Sequence, residues 1–153
     1  MKPFIKKELI VNTIIFMCII VCDQVTKLLS INLYKIIIPN ILDIKYVENK
    51  GAAFSTFETK TVLIISLIFI IALLIYWRRT KSKTIKNIAL TLMLSGSIGN
   101  LIDRMFRGFV IDFIKITLND NLPVFNIADI SIAIGFFMLV CYYSNCLIKN
   151  KES

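Results

Sequence analysis

The stretch VFNIADISIAIGFFMLV, residues 124–140, decides how this chain is read. It is apolar enough for a membrane helix, yet it contains Asp129, and a carboxylate near the bilayer centre costs about 2.5–3.5 kcal/mol on insertion scales. Either the segment is not a span, or Asp129 sits at a shallower depth with partners and a purpose.

The remainder of the chain favours the second reading. Of 153 residues, 57% are hydrophobic and 18% charged, too apolar a balance for an ordinary soluble domain. Runs of roughly 18 or more apolar residues, each able to cross a core of about 30 Å as a helix, occur near residues 9–28, 61–77, 86–106 and 124–147. The expected fold is an all-α membrane protein, a single membrane domain over 1–153 with four transmembrane helices. A small extracytoplasmic segment of β-strands and loops, about 30–60, should lie between helices one and two. Lys2, Lys6 and Lys7 precede the first apolar run as in a cleavable signal peptide, but no Ala-x-Ala site follows. A lipoprotein cleavage site before Cys22 is equally poor, since Val21 is bulky where a small residue is needed. The segment is read as a mature span.

Basic residues orient the spans. Arg78, Arg79, Lys81, Lys83 and Lys86 crowd the short connection between spans two and three, and Lys2, Lys6, Lys7, Lys149 and Lys151 mark the two ends. By the positive-inside rule both termini and that connection are cytoplasmic. The net charge of +8 then reflects topology and attraction to anionic lipid. Basic residues that flank spans do not form a nucleic-acid surface, so no nucleic-acid partner is expected. Cys18, Cys22, Cys141 and Cys146 include no Cys-x-x-Cys pair and read as buried, inert thiols. The absence of histidine excludes Ser-His proteases, His-Glu-x-x-His zinc proteases and histidine proton relays.

The first outer segment is rich in β-branched residues, and IKYVEN at 44–49 alternates as a strand does. KGAAF at 50–54 is small enough to let backbone pass close to another group. The second outer segment, about 107–123, carries VIDFIKI at 110–116, which alternates poorly and is expected to lie partly buried at the interface. Span two, TVLIISLIFIIALLIYW, reads as scaffold.

Depth gathers the polar residues. At about 1.5 Å per residue, Asp23 lies about 20 Å from the cytoplasmic end of span one and Lys27 about 27 Å, four residues apart on one face. The same count puts Asn100 about 20 Å along span three, and Asp103 and Arg104 about 25 Å. Span four enters from outside, so Asn126 and Asp129 fall within about 10 Å of the outer surface, and Asp112 belongs at that level. Charges at one depth suggest one polar site facing the bundle interior, because a lipid-facing carboxylate is costly. The bland alternative is ion pairs that only glue helices, Asp23 with Lys27 or Asp103 with Arg104.

Two carboxylates close together in a poorly solvated place share a proton, which supplies one acid and one base. Asp112 and Asp129 suit that arrangement, the one aspartic proteases use to activate water. The same carboxylates could carry protons or ions across the membrane. A Ser-Lys protease pairing Lys27 with Ser55, Ser95 or Ser97 would also need no histidine.

Five segments in order, DQVTK at 23–27, ENKGAAFS at 48–55, GSIGNLIDR at 96–104, GFVIDFI at 108–114 and FNIAD at 125–129, resemble those of the lipoprotein (type II) signal peptidases, an intramembrane aspartic peptidase family. The resemblance covers nearly the whole chain. Where the family often has Gly-Gly-Ala, this sequence has Ser95, Gly96 and Ser97, which keeps the residues small. The resemblance implies a catalytic pair at Asp112 and Asp129 and supporting roles for Asp23, Lys27, Asn49, Gly51, Gly96, Asn100, Arg104, Asn126 and Ala128. Asn100 and Asn126 would donate to the pair or to substrate backbone, and Arg104 would hold helices and outer loop in place. It further implies no metal or organic cofactor and a bacterial plasma membrane. The implied substrates are prolipoproteins whose lipobox cysteine carries diacylglycerol, cut just before that cysteine by a site facing the outer leaflet. We expect the chain to act as a monomer, with membrane lipid as its other partner.

Overall fold

The computed structural model describes residues 3–51, 59–79, 84–119 and 122–151. Most of KGAAF, with Ser55 and the basic residues Lys2, Lys81 and Lys83, lies outside them. In chain order the elements are α1 (Pro3–Ser30), β1 (Tyr34–Ile38), β2 (Leu42–Asn49), α2 (Thr59–Arg79), α3 (Thr84–Phe106), β3 (Val110–Ile116), β4 (Val124–Phe125) and α4 (Ile127–Lys151). All four helices hold stretches long and apolar enough to cross a membrane, Lys7–Ser30, Lys60–Arg79, Thr84–Phe106 and Ile127–Ile148. At about 1.5 Å per residue these reach roughly 30–36 Å.

The fourth span differs from expectation at its start. Residues 124–125 are strand, and the helix begins at Ile127 because Asn126 caps it. The Asn126 side-chain oxygen accepts the Asp129 N–H at 2.9 Å, while the Asp129 carboxylate accepts the Asn126 N–H at 3.2 Å. This reciprocal box places Asp129 in the first turn of α4, at the positive end of the helix, rather than inside the apolar run.

Helix α3 is the hub. Of its most apolar window 67% is buried inside the molecule, against 11%, 17% and 17% for the windows of α1, α2 and α4, and it packs on each of the other three helices. Leu90, Met93 and Leu94 of α3 meet Ile70 and Leu73 of α2 in the main apolar cluster, with Phe16 and Leu139 at its edge. Outward faces of α1, α2 and α4 expose Leu, Ile, Val and Phe, as lipid contact requires. α3 and α4 approach closely at small residues. A Cβ on Gly96 would lie 2.3 Å from the Ala128 carbonyl oxygen, and one on Gly135 would lie 2.5 Å from that of Ala89. The four cysteines do not fit the expectation of buried thiols. Cys18, Cys22 and Cys141 are exposed and Cys146 is half-buried, on helix surfaces that an apolar thiol can present to lipid as readily as to a core.

The strands form one antiparallel sheet in the order β1-β2-β3-β4. β1 and β2 close through Pro39 and Asn40, with Asn40 at φ +60° and the Ile41 N–H donating to the Ile38 carbonyl at 3.1 Å. The second outer segment therefore supplies half of the sheet, where an interfacial loop was expected. VIDFIKI hides its strand character because Val110, Ile111, Asp112 and Phe113 are all buried, β3 being packed against both α1 and α3. A strand covered on both faces does not alternate. Gly108, at φ +80°, turns the chain from α3 into β3. The register sets Asp112 opposite Val47 and Asn49 opposite Val110, and Ile114 opposite Phe125 brings the α4 N-terminus beside β3.

Replacing Gly96 with Val should force α3 and α4 apart. We expect a loss of about 1–3 kcal/mol, the usual cost of overpacking, read as a lower unfolding midpoint in detergent. An unchanged midpoint would show that the close approach at Ala128 is not needed.

Candidate active site

Five elements place the polar side chains. Asp112 comes from β3, Asp129 and Asn126 from the start of α4, Asn100 and Asp103 from α3, Asp23 and Lys27 from the last turns of α1, and Asn49 from the end of β2. Asp112 is 3% exposed and Asn126 fully buried.

Asn126 joins the two acids. Its Nδ2 donates to Asp112 Oδ1 at 2.7 Å, while its backbone and side-chain oxygen hold Asp129 through the cap. Each acid has one further amide donor. Asn49 Nδ2 donates to Asp112 Oδ2 at 2.9 Å, and Asn100 Nδ2 donates to Asp129 Oδ1 at 2.7 Å. The Gly51 N–H donates to Asn49 Oδ1 at 3.2 Å, which turns the Nδ2 of Asn49 toward Asp112. Burial pushes the Asp112 carboxyl up to about 6, with the nearby Asp129 charge adding to the rise and the Asn49 and Asn126 hydrogen bonds opposing it.

Beneath the acids lies a buried charge cluster. Lys27 and Asp23 form a fully buried pair at 2.7 Å, and Lys27 reaches Asp103 at 2.9 Å and Asn100 Oδ1 at 2.9 Å. Three acceptors match three ammonium protons. Asp23 Oδ1 also accepts the Ala128 N–H at 2.9 Å, and Asp103 Oδ2 accepts the Ile111 N–H at 3.2 Å. One lysine is thus tied through Asp23 to the turn bearing Asp129, and through Asp103 to the strand bearing Asp112. Gly96 and Ala128 are the close-contact pair that lets α4 reach this depth.

Asp103 does not pair with Arg104. Adjacent residues point about 100° apart around a helix, whereas i and i+4 share a face. Accordingly Asp103 pairs with Arg107, which also donates to Gln24 Oε1 at 3.1 Å. Arg104 makes no ion pair among the described residues and donates to the Asn100 carbonyl at 3.4 Å. Its expected hold on the outer loop is not among these contacts. Reading by motif passed over Arg107, Gln24 and Gly99. Gln24 Nε2 donates to Asp103 and to the Gly99 carbonyl, and a Cβ at Gly99 would lie 2.8 Å from the Asp23 carboxylate. The i, i+4 spacing of Asp103 and Arg107 was the available signal.

The geometry disfavours a Ser-Lys pair. Lys27 is committed to three partners, and Ser95 and Ser97 donate to the Leu92 and Met93 carbonyls of their own helix. Ser55 lies outside the described residues.

Paired, amide-held carboxylates at one end of a four-helix membrane bundle define a multi-pass membrane aspartic peptidase. Comparison with known proteins agrees. Residues 15–144 match the family of signal peptidase (SPase) II. The lipoprotein signal peptidase of Clostridium tetani is 38% identical over 134 residues, covering 80% of this chain and 85% of the relative, and that of Halothermothrix orenii is 35% identical, covering 84% and 92%. A bacterial membrane enzyme solved by the in meso method at 2.3 Å has the same fold, with TM-score 0.83, 29% identity and coverage of 94% and 93%. The chain belongs to the signal peptidase II family of aspartic peptidases, the lipoprotein signal peptidases.

Replacing Lys27 with Met should strand the Asp23 and Asp103 carboxylates in a dry interior. The expected loss is about 3–5 kcal/mol, typical of breaking a buried pair from one side. Chemical unfolding in mild detergent measures it, and a loss below about 1 kcal/mol would mean that the cluster is not a keystone.

Proposed function

We propose that Asp112 and Asp129 are the catalytic pair, and that the substrate is a prolipoprotein whose cysteine already carries diacylglycerol, cut just before that cysteine. The observation that carries this reading is Asn126, one residue bonded to both acids. We assign Asp112, whose carboxyl burial pushes up to about 6, as the member that carries the shared proton in the reacting form. Asp129, at the N-terminus of α4, is the base.

Asp129 takes a proton from water while Asp112 donates its proton to the scissile carbonyl oxygen, and the hydroxide adds to the carbon. The tetrahedral intermediate collapses as Asp129 gives its proton to the leaving nitrogen. The C–N bond breaks, and Asp112 recovers its proton from a hydroxyl of the intermediate. The products are an acid and an amine, and the pair returns to its starting state. Asn49, Asn100 and Asn126 hold the acids in register. Asp23, Lys27, Gly51, Gly96 and Ala128 position them, and Arg104 places its charge beside them.

The chain acts as a single membrane domain and as a monomer in lipid, with no nucleic-acid partner. Lys7, Arg78, Arg79 and Lys86 gather at the end of the bundle opposite the sheet, an end joined by the Asn87 to Glu8 hydrogen bond at 3.0 Å. The positive-inside rule makes that end cytoplasmic and turns the acids toward the outer leaflet. There the lipid chains of the substrate stay in the bilayer while the peptide bond reaches the pair.

Asp112→Asn and Asp129→Asn should each leave a folded protein and lower cleavage of a diacylglyceryl prolipoprotein by about 10²–10⁴-fold or more. Full cleavage by both variants would sink the proposal, and proton flux without cleavage would favour a transporter.

The pH profile tests the proton's position. A reaction that needs protonated Asp112 loses kcat/KM as pH rises through about 6. Asn49→Ala removes a hydrogen bond that lowers Asp112, so this limb should move to higher pH, whatever the height of the curve. A limb that stays in place would detach Asn49 from Asp112.

A further inference from the structure

A second polar site lies at the basic end of the bundle, far from the acids. Between the first turns of the α1 span and the start of α3 is a cavity of about 250 Å³ lined by Lys7, Glu8, Val11, Asn12, Thr84 and Ile88. Asn12 is 8% exposed, and its buried Oδ1 has no hydrogen-bond partner. An unpaired buried amide oxygen costs enough to be rare without a reason. Nothing in the proteolytic reaction uses it.

The lining says what would satisfy it. Thr84, the first residue of α3, lines the cavity and the first turn of the helix holds no acidic side chain, so its positive end is not neutralised from within that turn. Lys7 adds an ammonium, and together they favour a phosphate, while the Glu8 carboxylate of the same lining, which opposes an anion, is engaged by Asn87. Asn12 requires a donor beside that phosphate. Val11 and Ile88 supply apolar wall for a glyceryl and acyl stem. The cavity lies beside the first turns of α1 and α3, the end of the bundle where a headgroup would sit. Asn87 Nδ2 donates to Glu8 Oε1 at 3.0 Å and ties the two walls together.

We propose that this cavity binds the headgroup of an anionic phospholipid that carries a hydroxyl donor, of the phosphoglycerol type. The phosphate faces Lys7 and the α3 N-terminus, and a headgroup hydroxyl donates to Asn12 Oδ1. The placement in the inner leaflet rests on the orientation given above, but binding itself does not depend on the catalytic assignment.

The test uses the full chain in discs of phosphatidylcholine. Phosphatidylglycerol, phosphatidylethanolamine or water-soluble glycerophosphate is titrated in, with retained lipid read by native mass spectrometry and unfolding followed by temperature. Wild type should retain one phosphatidylglycerol and unfold at a higher temperature with it. Neither the choline or ethanolamine lipid nor glycerophosphate should do this. Asn12→Leu, close in volume and apolar within a span, should fold normally and hold phosphatidylglycerol about tenfold less tightly, the effect of one lost hydrogen bond. Lys7→Gln should weaken it as well. Equal retention by Asn12→Leu and wild type, equal retention of the choline lipid, or an equal response to glycerophosphate would overturn the proposal.

Discussion

The ammonium of Lys27 is the constraint on which the rest depends. A charge with no exposed side-chain surface must find partners inside the protein or cost several kcal/mol. Its acceptors are Asp23, Asp103 and Asn100. Each passes the constraint outward, Asp23 to the Ala128 N–H, Asp103 to the Ile111 N–H and Asn100 to Asp129. Neutralising one lysine therefore also fixes where β3 and the first turn of α4 lie, and with them the two acids.

The bundle achieves this with little apolar core of its own. Its outward helix faces are left for lipid, which removes the usual hydrophobic drive for helices to associate. Close packing takes over that role, at Gly96 on Ala128 and Gly135 on Ala89. The polar interior is affordable because its groups satisfy one another. Asn126 is the clearest case, being helix cap for α4, donor to Asp112 and neighbour of Asn100 at 3.1 Å.

The same logic separates the two ends of the molecule. At the sheet end, the buried polar side chains of the site have partners, so the acids are held by hydrogen bonds in a largely buried frame. At the basic end, Asn12 keeps an oxygen without one. A satisfied network holds its members in register, whereas the unsatisfied oxygen of Asn12 is the observation behind the proposed lipid site.

Much of the architecture was legible in the residues. Apolar runs located four spans, and counting depth brought Asp23, Lys27, Asn100, Asp112 and Asp129 to one level. Those signals are properties of one stretch of chain at a time, namely its length, polarity and distance from an end. What escaped them depended on a second stretch. VIDFIKI is strand because β2 lies beside it, Val124 and Phe125 leave the helix because β3 pairs with them, and Asp103 meets Arg107, Lys27 and Gln24 in space. By itself the sequence determined that this is a four-span protein whose polar residues fall at one level of the bundle. Only the tertiary structure decided which amide holds which carboxylate, because hydrogen bonds depend on distances between elements that composition and periodicity along the chain do not encode.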